Sequence, residues 1–544
     1  MRTTLSFCLF LLLVPAHAQQ VQIDMSLAVD GLLLVTYTPP EGVTELQLAD
    51  HGRAAQDVWK QWIQPLDECA LVVEQRIRLQ PSCKQARFAV KPQVLDRDAA
   101  YEPALPVGAR GVAFYTRYYA LSGVTQRWHW HAPDQGAVLH QGLLSRGEVS
   151  EATDAAQIVY LGEAPSLDLP GGVIVADPAL GADRTRQLRA LLAADIEALG
   201  KAYGVMPAGR VGVIAAVSAL PGRKLETSTG RMMSLRLPAT ADPRDASNLA
   251  MVLLHETTHW WNAGVFHSEE SFPWIHEGHA EWMALLLGRQ LGVLDARQAV
   301  ERLEWAVNSC VALRGDKPAA SLPLGLRGRD PYQCGMALMM AAQLERSARE
   351  HAGTPVEQLV SLHRGHESSV LTQADVAVWA DGRSDGPLAR LLFDPKLGFA
   401  TALQGLLGDD QVEVTNTPPG DEMPAPDRMG YGAVLMSALM VQDCGGNDFY
   451  SRPDGFKVAG MVKLNCGHLR VGQIVETIEG VPMTARPNAA LVALRNACKA
   501  GRSVRVGIQG GTQEALECPV AMPEFQNKRE WHLKPAALAR LGLR

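Results

Sequence analysis

The chain has 544 residues, a formal net charge of −7 and a sequence pI near 6.1. Hydrophobic residues make up 47% and charged residues 20%, which is typical of a folded globular protein and excludes an intrinsically disordered one. No basic run stands out, so the charge argues against nucleic acid and anionic membranes as partners.

The first twenty residues, MRTTLSFCLFLLLVPAHAQQ, have the pattern of a secretory signal. Arg2 supplies the positive start, residues 5–14 form an apolar run, and Ala16 and Ala18 form a small-residue cleavage site. This run is too short to span a bilayer, and no later segment approaches eighteen apolar residues. We therefore expect a signal peptide over residues 1–18, an exported chain that is periplasmic or secreted, and no integral membrane segment after cleavage.

Eight cysteines follow this segment, and an even number in an exported protein indicates disulfide bonds. They are Cys69, Cys83, Cys310, Cys334, Cys444, Cys466, Cys498 and Cys518. Their grouping favours the bridges Cys69–Cys83 and Cys310–Cys334, whereas the last four cysteines allow three connectivities. None lies in a Cys-x-x-Cys spacing, so a cysteine metal site has little support.

Changes in hydrophobic period divide the chain and predict a multidomain α+β protein. The N-terminal part has short stretches rich in β-branched and aromatic residues, such as GVAFYTRYYAL, which indicate strands. From about Arg184 the period becomes helical, and the first amphipathic helix ends at Gly204. The Pro-rich segment TNTPPGDEMPAPDRMG is typical of a linker. We expect an N-terminal β domain (19–160), a mainly α-helical domain (161–414), a linker (415–430), a β module with one helix (431–525) and a C-terminal tail (526–544).

The segment LLHETTHWW, residues 253–261, contains the pattern His-Glu-x-x-His. On a helix over residues 243–262, His255 and His259 project from one face and can bind one zinc ion. Glu256, beside them, can reach a water on that ion. Two histidines packed in the core of a buried helix would give the same pattern.

A third ligand distinguishes these alternatives, because a catalytic zinc ion needs three protein ligands and one open position. Glu277 lies eighteen residues after His259, on a second helix within FPWIHEGHAEWMALLLG. Glu281 lies on the same face as Glu277, where it can accept a hydrogen bond from a ligand histidine. We therefore predict one zinc ion bound by His255, His259 and Glu277, with Glu256 as the general base. The nearby His267, His276 and His279 are expected at the surface or around the ligands.

These motifs resemble those of the gluzincin metallopeptidases. HETTHWWN followed by WIHEGHAEW is similar to the aminopeptidase-N family, which has His-Glu-x-x-His and then Trp-x-x-Glu-Gly-x-Ala. It is also similar to the glycyl aminopeptidase family, in which His-x-Trp-Asn follows the first helix and a PDZ domain accompanies the catalytic one. The resemblance covers roughly residues 180–525. It implies a thermolysin-like catalytic domain, zinc as cofactor and a peptide or protein substrate.

The resemblance also implies a residue that stabilises the oxyanion. Aminopeptidase-N relatives carry Pro-Tyr-x-x-Gly after the ligand glutamate, and DPYQCGMALMMAAQLE has Tyr332 at the position of that tyrosine. Its phenol can donate a hydrogen bond to the developing oxyanion. A Cys310–Cys334 bridge would then hold the loop that carries Tyr332.

One motif of the aminopeptidase-N family is changed in this chain. Those relatives bind the free amine of the substrate through the glutamate of Gly-x-Met-Glu-Asn. The corresponding residues 230–234 read Gly-Arg-Met-Met-Ser, and Met233, at the glutamate's position, cannot bind an ammonium group. Glu226 lies nearby and can substitute. Aminopeptidase and endopeptidase action therefore both stay open.

The C-terminal module resembles a PDZ domain. GHLRVGQIVETIEGVPM, residues 467–483, is similar to the PDZ segment Ala-Gly-Leu-x-x-Gly-Asp-x-Ile, although Gln473 replaces the aspartate. A PDZ groove binds a peptide by strand addition, so the resemblance implies a peptide ligand. A purely structural β module is the alternative. An exported peptide-binding scaffold with a vestigial zinc site would also fit the sequence.

Overall fold

The computed structural model describes most of the chain beyond the predicted signal peptide, which lies outside the described residues. The described residues are 20–49, 63–73, 75–94, 102–153, 155–207, 209–218, 224–228, 231–240, 246–262, 273–315, 317–318, 330–347, 386–459, 465–501, 503–525 and 527–543, with positions 357, 372, 375 and 379. Among these residues, no helix has both the length and the apolar character needed to cross a membrane.

The N-terminal part consists of three β-sheets, as its sequence predicts. Its strands are β1 Gln20–Leu27, β2 Leu33–Thr38, β3 Glu45–Gln47, β4 Ile63–Pro65, β5 Ala70–Val73, β6 Arg76–Leu79, β7 Ala86–Val90, β8 Leu105–Pro106, β9 Gly111–Tyr115, β10 Thr125–His131, β11 Ala137–His140, β12 Leu143–Ser145, β13 Glu148–Glu151 and β14 Ile158–Gly162. The largest sheet has the order β13-β10-β1-β2-β7-β4, the second β12-β11-β14-β9-β8, and the third β3-β6-β5.

Alternating side chains explain how these strands form a core. In β1, Val21, Ile23 and Met25 are buried, while the residues between them face outward. Strand β10 repeats the pattern with Trp128 and Trp130, whose rings lie in the same hydrophobic cluster. The period of two therefore directs one face of the sheet to the core and leaves the other polar.

The central part combines one sheet with most of the helices. Its strands are β15 Ser166–Leu169, β16 Gly172–Ala176, β17 Val211–Ser218, β18 Lys224–Ser228 and β19 Met232–Pro238. Its helices are α1 Ala182–Tyr203, α2 Ala246–Asn262, α3 Pro273–Gln290, α4 Ala296–Arg314, α5 Asp330–Ser347, α6 Pro387–Phe393 and α7 Phe399–Leu407. The sheet order is β15-β16-β17-β19-β18, and β18 is its antiparallel edge strand beside α2.

Local sequence signals set the ends of several of these helices. Helix α1 ends at Gly204, as predicted, because this residue adopts φ +66°, a conformation that glycine takes without steric cost. Helix α4 starts with a capping box, in which Asp295 and Gln298 satisfy each other's backbone N–H groups. The helices pack into one large core that also buries the tryptophans of α2 and α3.

A smaller core joins the N-terminal and central sheets. It includes Leu105 and Tyr160 from the second N-terminal sheet, and Val173, Ile214 and Met232 from the central sheet. The two parts therefore share a packed apolar boundary.

The C-terminal part contains a second α/β unit. Its elements are β20 Val412–Thr417, α8 Ala425–Cys444, β21 Phe449–Arg452, β22 Gly455–Val458, β23 Ile474–Ile478, β24 Val481–Pro482, α9 Pro487–Lys499, β25 Val504–Ile508, β26 Gln513–Leu516, β27 Lys528–Leu533 and α10 Pro535–Arg540. Strands β21-β22-β23-β25-β26 form one sheet, and α8 packs against α9. The likeness of this unit to a PDZ domain stays a prediction.

Two expectations about connecting segments are wrong. The segment 415–430 is not an unstructured linker, because it contains the end of β20 and the start of α8. Residues 526–544 are not a free tail, because β27 pairs with β20 and buries Trp531 in the central core. Both errors have one cause: a strand of six residues is paired with a partner more than a hundred positions away, and local period does not report such pairing.

Four disulfide bonds confirm the cysteine prediction. Cys69–Cys83 and Cys310–Cys334 are the expected pairs. The last four cysteines form Cys444–Cys466 and Cys498–Cys518, one of the three connectivities that their sequence allows.

Candidate metal centre

Helix α2 carries two of the predicted ligands on its buried face. His255 and His259 are one helical turn apart and are only 5% and 6% exposed. The apolar residues Leu253 and Leu254 are fully buried beside them and fix this helix in the core. Burial is therefore expected both for zinc ligands and for two histidines packed in a core. The side chains that face the two rings distinguish these interpretations.

Glu277 on α3 faces both rings, and three potential ligand atoms converge. The Nε2 atoms of His255 and His259 are 3.2 Å apart, and Glu277 Oε2 lies 3.2 Å from the first and 3.4 Å from the second. Ligand atoms around a tetrahedral zinc ion, with bonds near 2.0–2.1 Å, are about 3.3–3.4 Å apart. The three atoms therefore have the spacing of three corners of a zinc tetrahedron. Two histidines packed in a core do not explain a buried carboxylate at this position.

A carboxylate faces the Nδ1 atom of His255, and a guanidinium is hydrogen-bonded to that carboxylate. His255 Nδ1 lies 3.3 Å from Glu281 Oε1, and Arg302 Nη2 donates a hydrogen bond of 3.0 Å to Glu281 Oε2. Burial opposes ionisation of Glu281, but His255 and Arg302 together lower its pKa to about 2. The charged carboxylate orients His255 with Nε2 toward Glu277.

An amide fixes the second histidine. Asn262 Nδ2 donates to the backbone oxygen of His276 at 2.9 Å, so Asn262 Oδ1 faces His259 Nδ1, also at 2.9 Å. Because this oxygen can only accept, His259 must carry its proton on Nδ1. Its Nε2 lone pair is then free for a metal ion. The ring of His276 stacks on His259 with 4.3 Å between centroids.

Tyr332 lies against the first ligand histidine, and Glu256 follows that histidine on α2. The ring of Tyr332 stacks on His255 at 5.6 Å between centroids. The pKa of Tyr332 is raised, first by burial and then by the charges of Glu277 and Glu256, so the phenol stays protonated and can donate a hydrogen bond.

A close helix crossing brings α5 to α3. A Cβ atom on Gly278 would overlap the backbone of Gly335, and a Cβ on Gly335 would overlap that of Gly278. Only two glycines allow this approach, which sets Glu277 and Tyr332 side by side. The Cys310–Cys334 bridge joins α4 to α5 and fixes the start of the helix that carries Tyr332.

A cavity of about 330 Å³ opens beside Tyr332. Its other lining residues are Glu281, Arg302, Trp305, Ala306, Gln333 and Met336. Space for part of a ligand therefore exists next to the converging side chains.

The remaining histidines of this region differ in position. His279 is fully buried and hydrogen-bonded to Tyr203, whose ring stacks on Trp261. His276 therefore lies against a ligand histidine, as one of the two expectations stated, and His279 contacts Tyr203. His267 lies outside the described residues.

The match of Met233 to the amine-binding glutamate of the motif stays a prediction. Met233 is fully buried in the hydrophobic core, on β19, one strand inside the sheet edge. Glu226 lies on the edge strand β18, and its side chain is outside the described residues.

Sequence analysis missed two residues that orient the ligands. Arg302 is on α4, twenty-one positions beyond Glu281, and no local pattern links them. Asn262 was matched only as part of a motif, although its position three residues after His259 places both on neighbouring turns of α2.

A second group with ligand-type atoms, Asp443, Cys444 and Cys466, has a structural explanation. The two sulfurs form a disulfide bond, and Asp443 accepts backbone hydrogen bonds from His468 and Leu469. Among the described residues this group therefore does not offer a metal site.

No family model and no curated protein matches the chain. The fold is that of the aminopeptidase N family: the chain is similar to the crystal structure of an aminopeptidase N family protein from Idiomarina loihiensis. That likeness has a TM-score of 0.55 and 16% identity, over 96% of this chain and 99% of that chain. The resemblance noted in the sequence is thereby confirmed for the fold.

Two further structures share lower similarity. An M1 zinc metallopeptidase from Deinococcus radiodurans has a TM-score of 0.39 and 16% identity, over 68% of this chain and 95% of that chain. Yeast LTA4 hydrolase has a TM-score of 0.45 and 13% identity, over 78% and 72%.

Proposed function

We propose that this protein is a zinc-dependent metallopeptidase with one zinc ion, bound by His255, His259 and Glu277. The observation that carries the proposal is the triangle of ligand atoms, with sides of 3.2, 3.2 and 3.4 Å. The fold shared with an aminopeptidase N family protein supports the same class of reaction. A non-catalytic scaffold would need neither a carboxylate nor a protonated phenol beside this triangle.

The reaction is hydrolysis of a peptide bond. A zinc ion at these ligands supplies Lewis-acid polarisation of the scissile carbonyl and lowers the pKa of a water molecule. Glu256 accepts the proton of the attacking water and passes it to the leaving amine. Tyr332 donates a hydrogen bond to the oxygen that becomes negative in the tetrahedral intermediate. Glu281 and Asn262 hold the two imidazoles in the orientation and tautomer that this chemistry needs.

Whether the enzyme cleaves at the N-terminus or inside a peptide depends on whether it binds the free amine of the substrate. An aminopeptidase needs a carboxylate for the substrate's ammonium group, and Met233 cannot provide one. We propose aminopeptidase-like action with another group, such as Glu226, in that role. Endopeptidase action is the second candidate, and the core position of Met233 favours it, because an endopeptidase needs no amine anchor.

A mixed peptide library tests both candidates. The mature protein is incubated with peptides of which half have free and half acetylated N-termini, and mass spectrometry maps the cuts. Trimming of free N-termini alone supports the aminopeptidase, and internal cuts in both halves support the endopeptidase. If the zinc-loaded protein cleaves no peptide in the library, a peptidase function is refuted and the binding scaffold is favoured.

We further propose that the protein acts outside the cytoplasm, in the periplasm or as a secreted protein. Four disulfide bonds support this location, because such bonds persist in oxidising compartments. We also propose that the C-terminal unit is a PDZ-like module that takes a peptide ligand by strand addition. Isothermal titration with the substrate's terminal peptides tests this second binding function.

A further inference from the structure

A group of histidine and carboxylate side chains lies on the largest N-terminal sheet, whereas the candidate metal centre is on helices α2 and α3. In β10, Trp128 and Trp130 point into the core and are 2% and 0% exposed. Because side chains alternate along a strand, His129 and His131 both project to the opposite, polar face. Their rings are nearly parallel, at 13°, with 6.4 Å between centroids.

The neighbouring strands add one carboxylate each. In the register of the sheet, Asp24 on β1 lies opposite His129, and Glu148 on the edge strand β13 lies opposite His131. The remaining positions of the two rows are occupied by Ser150 and Ser26, which are small. Two imidazoles and two carboxylates therefore occupy one patch across three adjacent strands.

The distances show that these groups already approach each other. Glu148 Oε1 lies 2.6 Å from His129 Nδ1, and its Oε2 lies 3.8 Å from His131 Nδ1. Asp24 Oδ1 lies 3.3 Å from His131 Nε2. Glu148 thus lies between the two rings, and each imidazole has a nitrogen atom close to a carboxylate oxygen.

We propose that His129, His131, Glu148 and Asp24 form a second site for a divalent transition metal ion of the zinc class. Histidines at positions i and i+2 of a strand present their nitrogens on one face, and nitrogen and carboxylate oxygen are ligands that zinc accepts. Two carboxyl side chains beside two imidazoles form a mixed oxygen and nitrogen donor set, which suits a divalent ion of this class.

The proposed ligation requires the four side chains to turn toward one ion, because no three of the four residues yet place ligand atoms within 4.8 Å of one another. The histidine side chains are 16% and 38% exposed and those of Glu148 and Asp24 are 51% and 25% exposed, so an ion can reach all four. Glu148 then turns from a hydrogen bond with His129 to share the ion with it. An ion at this site would join the edge strand β13 to β10 and β1.

Zinc counting tests the proposal. The full mature protein is freed of metal with a chelator, dialysed against micromolar Zn²⁺, and its metal content is measured by mass spectrometry. We expect two zinc ions per chain in the wild type and one in the double variant His129→Ala/His131→Ala. The double variant His255→Ala/His259→Ala should also retain one, because the sites are separate.

A matched control is His532→Asn, which removes a lone exposed histidine 3.6 Å from Glu304. This variant should keep the wild-type zinc count. Where the alanine pair impairs folding, chemical modification of the wild type gives a second readout. Zn²⁺ should then protect His129 and His131 from diethylpyrocarbonate. An unchanged zinc count in the folded variant, or unprotected histidines, would overturn the proposal whether or not the catalytic centre binds zinc.

Discussion

At the scale of single residues, the candidate centre depends on the side chains that orient its two histidine ligands. Asn262 assigns the proton of His259 to Nδ1, and Glu281 with Arg302 orients His255. These contacts orient the two imidazoles, so the ligands lose little freedom on binding an ion. Pre-orientation of this kind is expected of a site that performs chemistry.

Glu256→Gln tests the role of the general base. The amide has nearly the shape of the carboxylate but cannot accept the proton of the attacking water. We expect kcat to fall by about 10²–10⁴-fold while zinc content stays unchanged. Glu301→Gln, an exposed glutamate paired with Arg297 on α4, is the control and should keep full activity. Equal turnover in Glu256→Gln and the wild type would refute this assignment.

Asp195 provides a test of stability against pH. It is 3% exposed, and within the described part of the chain its Oδ2 has no hydrogen-bond partner. Burial raises its pKa from 3.8 to about 8. Since the folded state prefers the protonated acid, its contribution is fully favourable below about pH 4 and is lost as the pH rises toward 8.

Asp195→Asn removes this titration. We expect the variant to be more stable than the wild type by an amount that grows between pH 4 and pH 8, measured by urea unfolding. Asp183→Asn, an exposed aspartate on the same helix, should show no such trend. A stability difference that does not depend on pH would contradict the buried, neutral acid.

At the scale of elements, the crossing of α3 and α5 controls the centre. Glu277 and Gly278 are adjacent on α3, while Tyr332 and Gly335 lie one turn apart on α5. The two glycines touch, so the ligand and the phenol are brought together by backbone contact and not by long side chains. A glycine in the motif Glu-Gly-His-Ala thus has a packing reason.

Gly335→Ala is expected to separate these helices. The added methyl group would overlap the backbone of Gly278 and Trp274, and relief requires movement of backbone. We expect a loss of about 1–3 kcal/mol in the free energy of unfolding and a marked fall in kcat. The control Gly405→Ala on α7 has open space at its Cβ and should stabilise by about 0.5–1 kcal/mol. Wild-type kcat in Gly335→Ala would show that the close crossing is not needed.

At the scale of the whole molecule, the C-terminal unit from α8 to β26 is an insertion into the central part. Strand β20 precedes it and β27 follows it, and the two strands pair from Val412↔Leu533 to Thr417↔Lys528. After β27, helix α10 returns its residues to the central core. Asn308 and Glu304 on α4 bind the backbone of β27. The chain end therefore belongs to the same folding unit as the candidate metal centre.

Two deletions test whether the C-terminal unit is inserted into the central part or appended after it. Replacing residues 418–527 by an Asn-Gly turn keeps β20 and β27 paired, because their last partners are directly opposite. We expect this protein to fold and to bind zinc. Ending the chain at residue 527 removes the buried Trp531 and should cost about 3–5 kcal/mol or more, measured by thermal unfolding. Equal stability of both deletions would contradict the insertion.

Local sequence signals determined much of this protein. The strand period, the helix that ends at Gly204 and the first two disulfide pairs were readable because they depend on residues near each other in the chain. The pattern from His255 to Glu277 likewise predicted a ligand set, because an α-helix converts a spacing of four into one face. The site assignments themselves stay predictions for the experiments above.

Only the tertiary structure decided what long-range contacts bring together. The triangle of ligand atoms, the Arg302–Glu281 pair, the glycine crossing and the pairing of β20 with β27 each join segments that no local period connects. The same applies to the last two disulfide bonds and to the core position of Met233. Such contacts form because packing of the whole chain offsets the entropy of closing long loops, and this balance is a property of the fold and not of any segment.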